Sequence, residues 1–311
     1  MKLKLKIIFA AALVFGCSGY ASAAVSLPWQ TTFNCADWTQ TINPGTDPVC
    51  DGLTREGDWG PPTLTEQITS TANNPNGGGG KGQRHWLQGQ GTGTCTQVDG
   101  NSGGTRIDFT TGSTEMWVRF YLRFQAGFNW TDYEGYKLIY FNHDGYQNFN
   151  YFQIGEWGPE GYLDYVPQFG SPNQPAHDQA TVGYVTTYGQ PARGDWHCIE
   201  LHIKSESGPG VTDGVAQIWV DGILKGDHHN VDHGFKSNGW TISGFVIGSN
   251  IKCINGTTPQ YTDYDDISVT ATTPANRDAA GNPMIGPIGW NGSGGATLSA
   301  PSGLAVKGVT P

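Results

Sequence analysis

The sequence predicts an all-β protein, a sandwich of two antiparallel sheets, and three observations carry that expectation. Of the 311 residues, 37% are hydrophobic and 12% aromatic but only 14% charged, with 46 Gly and 18 Pro. That profile suits short strands with long loops and excludes a coiled coil or a charged disordered chain. Apolar residues recur with a period of two along several segments, which places them on one face of a strand. Turn sequences stand between those segments, so consecutive strands join as hairpins, and one-faced strands bury themselves by packing two sheets together.

The chain opens on Lys2, Lys4 and Lys6, the apolar run Ile7–Phe15 and the small residues Ala21-Ser22-Ala23. This is the build of a secretory signal, so residues 1–23 read as a signal peptide and the mature chain begins at Ala24 in an extracellular or periplasmic setting. Cys17 follows the bulky Phe15, a poor lipoprotein box. No other apolar run is long enough for a membrane span. Five cysteines follow, Cys35, Cys50, Cys95, Cys198 and Cys253. Export permits disulfides, and Cys35 with Cys50, which bracket a Pro/Gly/Asp loop, is the expected pair, the remaining connectivity staying open. None has zinc-finger spacing. A net charge of −10 argues against nucleic acid or an anionic membrane surface as the main partner.

Residues 24–273 read as one sandwich domain. Its first part, to residue 113, has short strands between polar loops such as Asn73–Gly82 and Gly89–Gly104. The run Gly77–Gly80 lacks the Lys-Ser/Thr ending of a phosphate loop and reads as a flexible surface loop. In Glu115–Phe124 (EMWVRFYLRF), Met116, Val118, Phe120, Leu122 and Phe124 share a core face, opposite Glu115, Trp117, Arg119, Tyr121 and Arg123. Trp196–Lys204 repeats the pattern with Ile199, Leu201 and Ile203, and Val215–Val220 and Asp265–Val269 alternate as well. Asp144-Gly145, Gly158-Pro159-Glu160-Gly161, Gly208-Pro209-Gly210 and Asp221-Gly222 supply the turns. Residues 274–311 read as a flexible Gly/Pro/Ser-rich tail. Within it Ser299–Thr310 resembles the first strand of a fibronectin type III module but is too short to form one.

The motifs EMWVRFYLRF, Gly194–Lys204 (GDWHCIELHIK), Asp213–Gly222 (DGVAQIWVDG) and Tyr264–Val269 (YDDISV) resemble, in that order, the concanavalin A-like jelly-roll superfamily. The resemblance is greatest to its secreted bacterial polysaccharide-lyase and laminin-G-like branches and covers most of the mature chain. It implies a jelly-roll β-sandwich whose partner is a polysaccharide. The Glu-x-Asp-x-x-Glu motif of family-16-type glucanases is missing, which argues against retaining hydrolysis by that route.

A polyuronate lyase removes the proton alpha to a carboxylate, so it needs a base and a cation or amide that neutralises the carboxylate. The catalytic candidates are Lys137, Arg119, Tyr151 and Gln153, with Lys137 or Tyr151 as base and Arg119 as neutraliser. Trp117, Tyr121, Arg123 and Tyr162 are the substrate-binding candidates, with Trp130 and Trp157 as further stacking surfaces. All of them share one groove only if their strands are neighbours. In one alginate-lyase-like branch a catalytic Lys follows a Gly-containing turn. Lys137 after Gly135-Tyr136 is similar in setting, without that branch's second glycine or its Ser-x-Arg strand.

Each candidate also has a purely structural reading. Arg119 and Arg123 can be solvated or paired across strands with Glu115 or Glu156, and the aromatics can be packing residues. His228, His229 and His233, with Asp227 and Asp232, read as a polar surface loop because no helix supports a His-x-x-x-His pair. His202 reads as a hydrogen-bonded sheet histidine. No cofactor is required, although the resemblance adds a structural calcium near the terminal strand, where Asp263, Asp265 and Asp266 stand. The preferred function is a secreted polysaccharide lyase that cleaves an acidic glycan by β-elimination. The alternative is a non-catalytic lectin or laminin-G-like module of a matrix or adhesin. A purely structural protein would have the Trp117/Arg119/Tyr121 face covered by loops.

Overall fold

The structure, a computed structural model, describes residues 24–41, 49–55, 64–87, 104–128, 134–143, 146–154, 163–167, 193–248, 251–252 and 258–290. Residues 1–23, expected as a signal peptide, together with Trp130, Trp157, Tyr162 and residues 291–311, therefore lie outside the described residues. The early strands are β1 (Trp29–Thr31), β2 (Trp38–Thr41), β3 (Thr54–Arg55), β4 (Leu64–Thr69), β5 (Gly82–Leu87) and β6 (Thr105–Ser113). The central ones are β7 (Glu115–Phe124), β8 (Glu134–His143), β9 (Tyr146–Ile154), β10 (Leu163–Pro167) and β11 (Trp196–Lys204). The last are β12 (Gly214–Val220), β13 (Ile223–Val231), β14 (Ile242–Ile247), β15 (Ile251–Lys252) and β16 (Gln260–Thr270), and a single helical turn, α1 (Phe235–Asn238), precedes β14.

These strands form two antiparallel sheets. The larger runs β13-β12-β11-β7-β16-β5-β4-β2 with β1 also paired to β16, and the smaller runs β10-β9-β8-β14-β6-β3 with β15 beside β8. The core between them is the one the alternation predicts. Met116, Val118, Phe120, Leu122 and Phe124 of β7 and Ile199, Leu201 and Ile203 of β11 all lie in it, facing Phe141, Phe152 and Phe245 of the smaller sheet. Asp221-Gly222 turns β12 into β13 with both residues at positive φ, which is why a short polar residue and a glycine stand there.

One part of the interior is polar, which apolar alternation does not anticipate. Glu66 of β4 pairs with His85 of β5, Gln83 donates to Glu66 at 2.8 Å, and Thr105 of β6 donates to Gln83 at 2.5 Å. The Tyr136 hydroxyl of β8 meets those of Thr262 and Tyr264 of β16 at 2.7 and 3.0 Å. These groups are buried and, His85 Nε2 apart, bond to one another, so the network ties the two sheets together.

Three sequence expectations are corrected. Strands β7 and β8, consecutive in sequence, belong to different sheets, because alternation reports a face and not a partner. The folded unit does not stop at residue 273: residues 275–290 lie as an irregular strap on the outer face of the larger sheet, with Met284 fully buried. His228 and His229 are strand residues of β13, and His233 is buried, its Nδ1 at 2.9 Å from the Tyr165 hydroxyl and its Nε2 at 3.0 Å from the Val215 carbonyl. They make no shared surface loop.

Candidate functional site

The outer face of the smaller sheet collects one group of candidates. Strand β8 carries an irregularity between Lys137 and Ile139, so Leu138 and Ile139 both enter the core while Lys137 and Tyr140 both point outward. On β9 the alternation is regular: Asn150 and Phe152 face inward, Tyr151 and Gln153 outward. Register then sets Lys137 opposite Gln153 and Tyr140 opposite Tyr151. The Lys137 ammonium lies 4.8 Å from the Tyr151 ring centroid and 5.5 Å from that of Tyr140. The two rings meet edge to face with centroids 5.5 Å apart. Tyr151 is 1% and Gln153 0% exposed, while Lys137 is half-buried. Arg106 of β6 joins the same face in register with Val246 and Tyr140, held by an Nε bond of 2.8 Å to Asp108.

Cation, phenols and amide thus stand within one patch. An ammonium and an amide can neutralise a carboxylate, and a phenol can take or give a proton. Lys137, Tyr151 and Gln153 were legible in the sequence. Tyr140 and Arg106 were not, Tyr140 because the local irregularity breaks the period of two.

The other candidates are elsewhere. Trp117, Arg119, Tyr121 and Arg123 lie on the outer face of the larger sheet, so the single groove expected from the sequence is not formed. The strap covers much of that face. Trp117, 1% exposed, donates its Nε1–H to the Pro283 carbonyl at 3.1 Å, and the Ile288 N–H donates to the Tyr121 hydroxyl at 2.9 Å. Glu200 of β11, opposite Arg119, accepts N–H bonds from Ile285 at 2.6 Å and Gly286 at 2.8 Å. Burial pushes its carboxyl up to about 7, against the pull of those two N–H groups and of Arg119. Trp219 donates to Asp278 at 2.9 Å. Arg119, 8% exposed, lies on this covered face, on the other sheet from Lys137, Tyr151 and Gln153. Arg123 and Arg84 both clamp Asp263. Arg123 therefore has its acidic partner in Asp263 and not in Glu115, and Glu156 lies outside the described residues. His202 bonds to Gln217 at 2.7 Å and Glu115 at 3.0 Å and stacks on Trp117, as a structural sheet histidine does.

The three aspartates lie within β16 and divide between two settings. Asp263 faces the two arginines, Asp265 accepts from the Asn74 N–H and Asp266 from the Gly78 N–H, both at 2.7 Å. Asp266 takes positive φ at the β16 irregularity, turning these carboxylates onto the 74–78 loop. Among the described residues no three His, Cys, Asp or Glu side chains gather to hold a metal ion. Cys35 and Cys50 form the expected disulfide. Among the described residues no helix is long and apolar enough to cross a membrane.

No protein-family model matches this chain, and no curated protein matches it. Solved structures do. A variant of alginate lyase Aly36B in complex with alginate trisaccharide is 15% identical over 79% of this chain and 99% of its own, with a TM-score of 0.53. A second Aly36B variant, with alginate tetrasaccharide, is 16% identical over 79% of this chain and 98% of its own, with a TM-score of 0.52. The endo-β-1,4-glucuronan lyase of the fungus Trichoderma reesei is 15% identical over 82% of this chain and all of its own, at 0.47. The likeness is one of fold, a jelly-roll β-sandwich of two antiparallel sheets.

Proposed function

We propose that this protein is an exported polysaccharide lyase that cleaves a uronate-containing glycan by β-elimination on the outer face of the smaller sheet. The observation that carries the reading is the Lys137 ammonium facing the rings of both Tyr140 and Tyr151, with Gln153 in register beside it. Lys137 and Gln153 hold the substrate carboxylate and stabilise the charge that develops on it. Tyr151 as phenolate takes the proton from the carbon alpha to that carboxylate. The electron pair becomes the new carbon–carbon double bond, the glycosidic C–O bond breaks, and Tyr140 protonates the departing oxygen. Acid and base are thus two adjacent groups of one kind, and no cofactor enters the scheme. The complexes of Aly36B with alginate oligosaccharides, on a similar fold, agree with a uronate glycan as substrate. The Cys35–Cys50 bridge agrees with export.

The rival reading, a non-catalytic glycan-binding module, is favoured by the 1% exposure of Tyr151, since a base has to touch the proton it removes. Ultraviolet absorbance separates the two. Incubation with alginate, glucuronan, pectate and glycosaminoglycans should yield the unsaturated uronate that only elimination makes, and no rise on any polymer would leave the binding module.

A further inference from the structure

We infer that Asn142 is a specificity-determining residue that reads the hydroxyls of a sugar unit next to the reacting one. This rests on the reading that the Lys137 face binds a uronate glycan. Asn142 lies on β8 two residues beyond Tyr140, on the same outward face, since it pairs with Gly244 where Phe141 and Phe245 pair inward. Two strand residues span about 7 Å, so its amide stands roughly one pyranose along from the two phenols. Asn142 is 0% exposed, and among the described residues neither its Nδ2 nor its Oδ1 has a hydrogen-bond partner. A buried amide left unpaired costs free energy that an apolar side chain of the same size would not.

The next strand offers Gly244, whose missing side chain lets Asp108 approach: a Cβ there would stand 3.1 Å from Asp108 Oδ1 and 2.2 Å from the Ile107 carbonyl. Asp108 in turn holds Arg106 at 2.8 Å. An amide offers one donor and one acceptor together, which matches a pair of vicinal hydroxyls better than a carboxylate that only accepts. Uronate units differ from one another in the orientation of those hydroxyls, so this is where the preference among them would be set.

The test is Asn142→Leu in the full chain, titrated calorimetrically with tetrasaccharides of mannuronate, guluronate and glucuronate, with turnover followed separately. The inference expects a folded variant that melts no lower than the wild type, binds its preferred tetrasaccharide about 10-fold more weakly, raises KM and leaves kcat nearly unchanged. Asn142→Ser, which puts a hydroxyl donor and acceptor in place of the amide, should recover part of the loss. Unchanged affinity in Asn142→Leu overturns the inference. So does a variant that melts well below the wild type, because the amide is then structural, and so does a wild type that binds none of the three. Asn142-dependent binding without any elimination keeps this subsite and refutes the lyase reading instead.

Discussion

Replacing Glu200 by Ala should unlatch the strap from the larger sheet without touching the candidate site. The Glu200 carboxylate accepts the Ile285 and Gly286 N–H groups at 2.6 and 2.8 Å. Hydrogen bonds to a charged group are each worth about 2 kcal/mol, and the variant leaves two amides without their acceptor, a gross loss of about 4 kcal/mol. Part of that returns, because the variant no longer buries a carboxyl that burial holds near 7 instead of 4.5. The net expectation is about 2 kcal/mol at neutral pH, a fall in Tm of about 4–8 °C for a domain of this size, read by calorimetry. A companion variant isolates the proton. The folded pKa of Glu200 is raised, so between about 4.5 and about 7 the native state holds a proton that the unfolded chain has lost. Its contribution to stability is full below that window and disappears as pH rises through it. Relative to Glu200→Gln, the wild type should lose about 3 kcal/mol across the window. A Glu200→Ala protein within about 0.5 kcal/mol of the wild type would refute the latch, that being the spread of an ordinary surface substitution.

Other expectations follow from the same structure. Reducing the Cys35–Cys50 bridge, which closes a sequence separation of 15 residues, should cost about 3 kcal/mol; a melt unchanged by reductant would contradict this. His233 should stay neutral far below the ordinary histidine range, because burial pushes its imidazole down to about 3 against the pull of the Val215 carbonyl. Its contribution to stability is present above about 6.5 and is lost as pH falls towards 3, and ring resonances that titrate near 6.5 in the folded protein would contradict the burial.

Legibility in the sequence followed the regularity of each element. Strands β7 and β11 were readable residue by residue because one face of each is apolar without interruption and no bulge interrupts their mutual register. Strand β8 was not: in Lys137-Leu138-Ile139-Tyr140 two adjacent apolar residues enter the core, so Tyr140 joins Lys137 on a face that a strict period of two denies it. Lys137, Tyr151 and Gln153 could be named as chemistry, but their separation from Arg119 rested on strand pairing, which depends on the whole topology. The strap leaves no signature in the sequence because an irregular segment has no period. Its attachment runs through single contacts such as Trp117 to Pro283 and Trp219 to Asp278. Glu66, Gln83 and His85 face inward against their polarity because Glu66 accepts from Gln83 and pairs with His85, a pairing visible only once the strands are assembled.

The most direct test is the initial rate of unsaturated-uronate formation by the wild type, Lys137→Ala, Tyr151→Phe and Arg119→Ala on whichever uronate polymer supports turnover. The account predicts that Lys137→Ala and Tyr151→Phe abolish the rise in ultraviolet absorbance, while Arg119→Ala keeps the wild-type kcat/KM. A wild type inert on every polymer, or activity that survives Lys137→Ala and vanishes with Arg119→Ala, would contradict it.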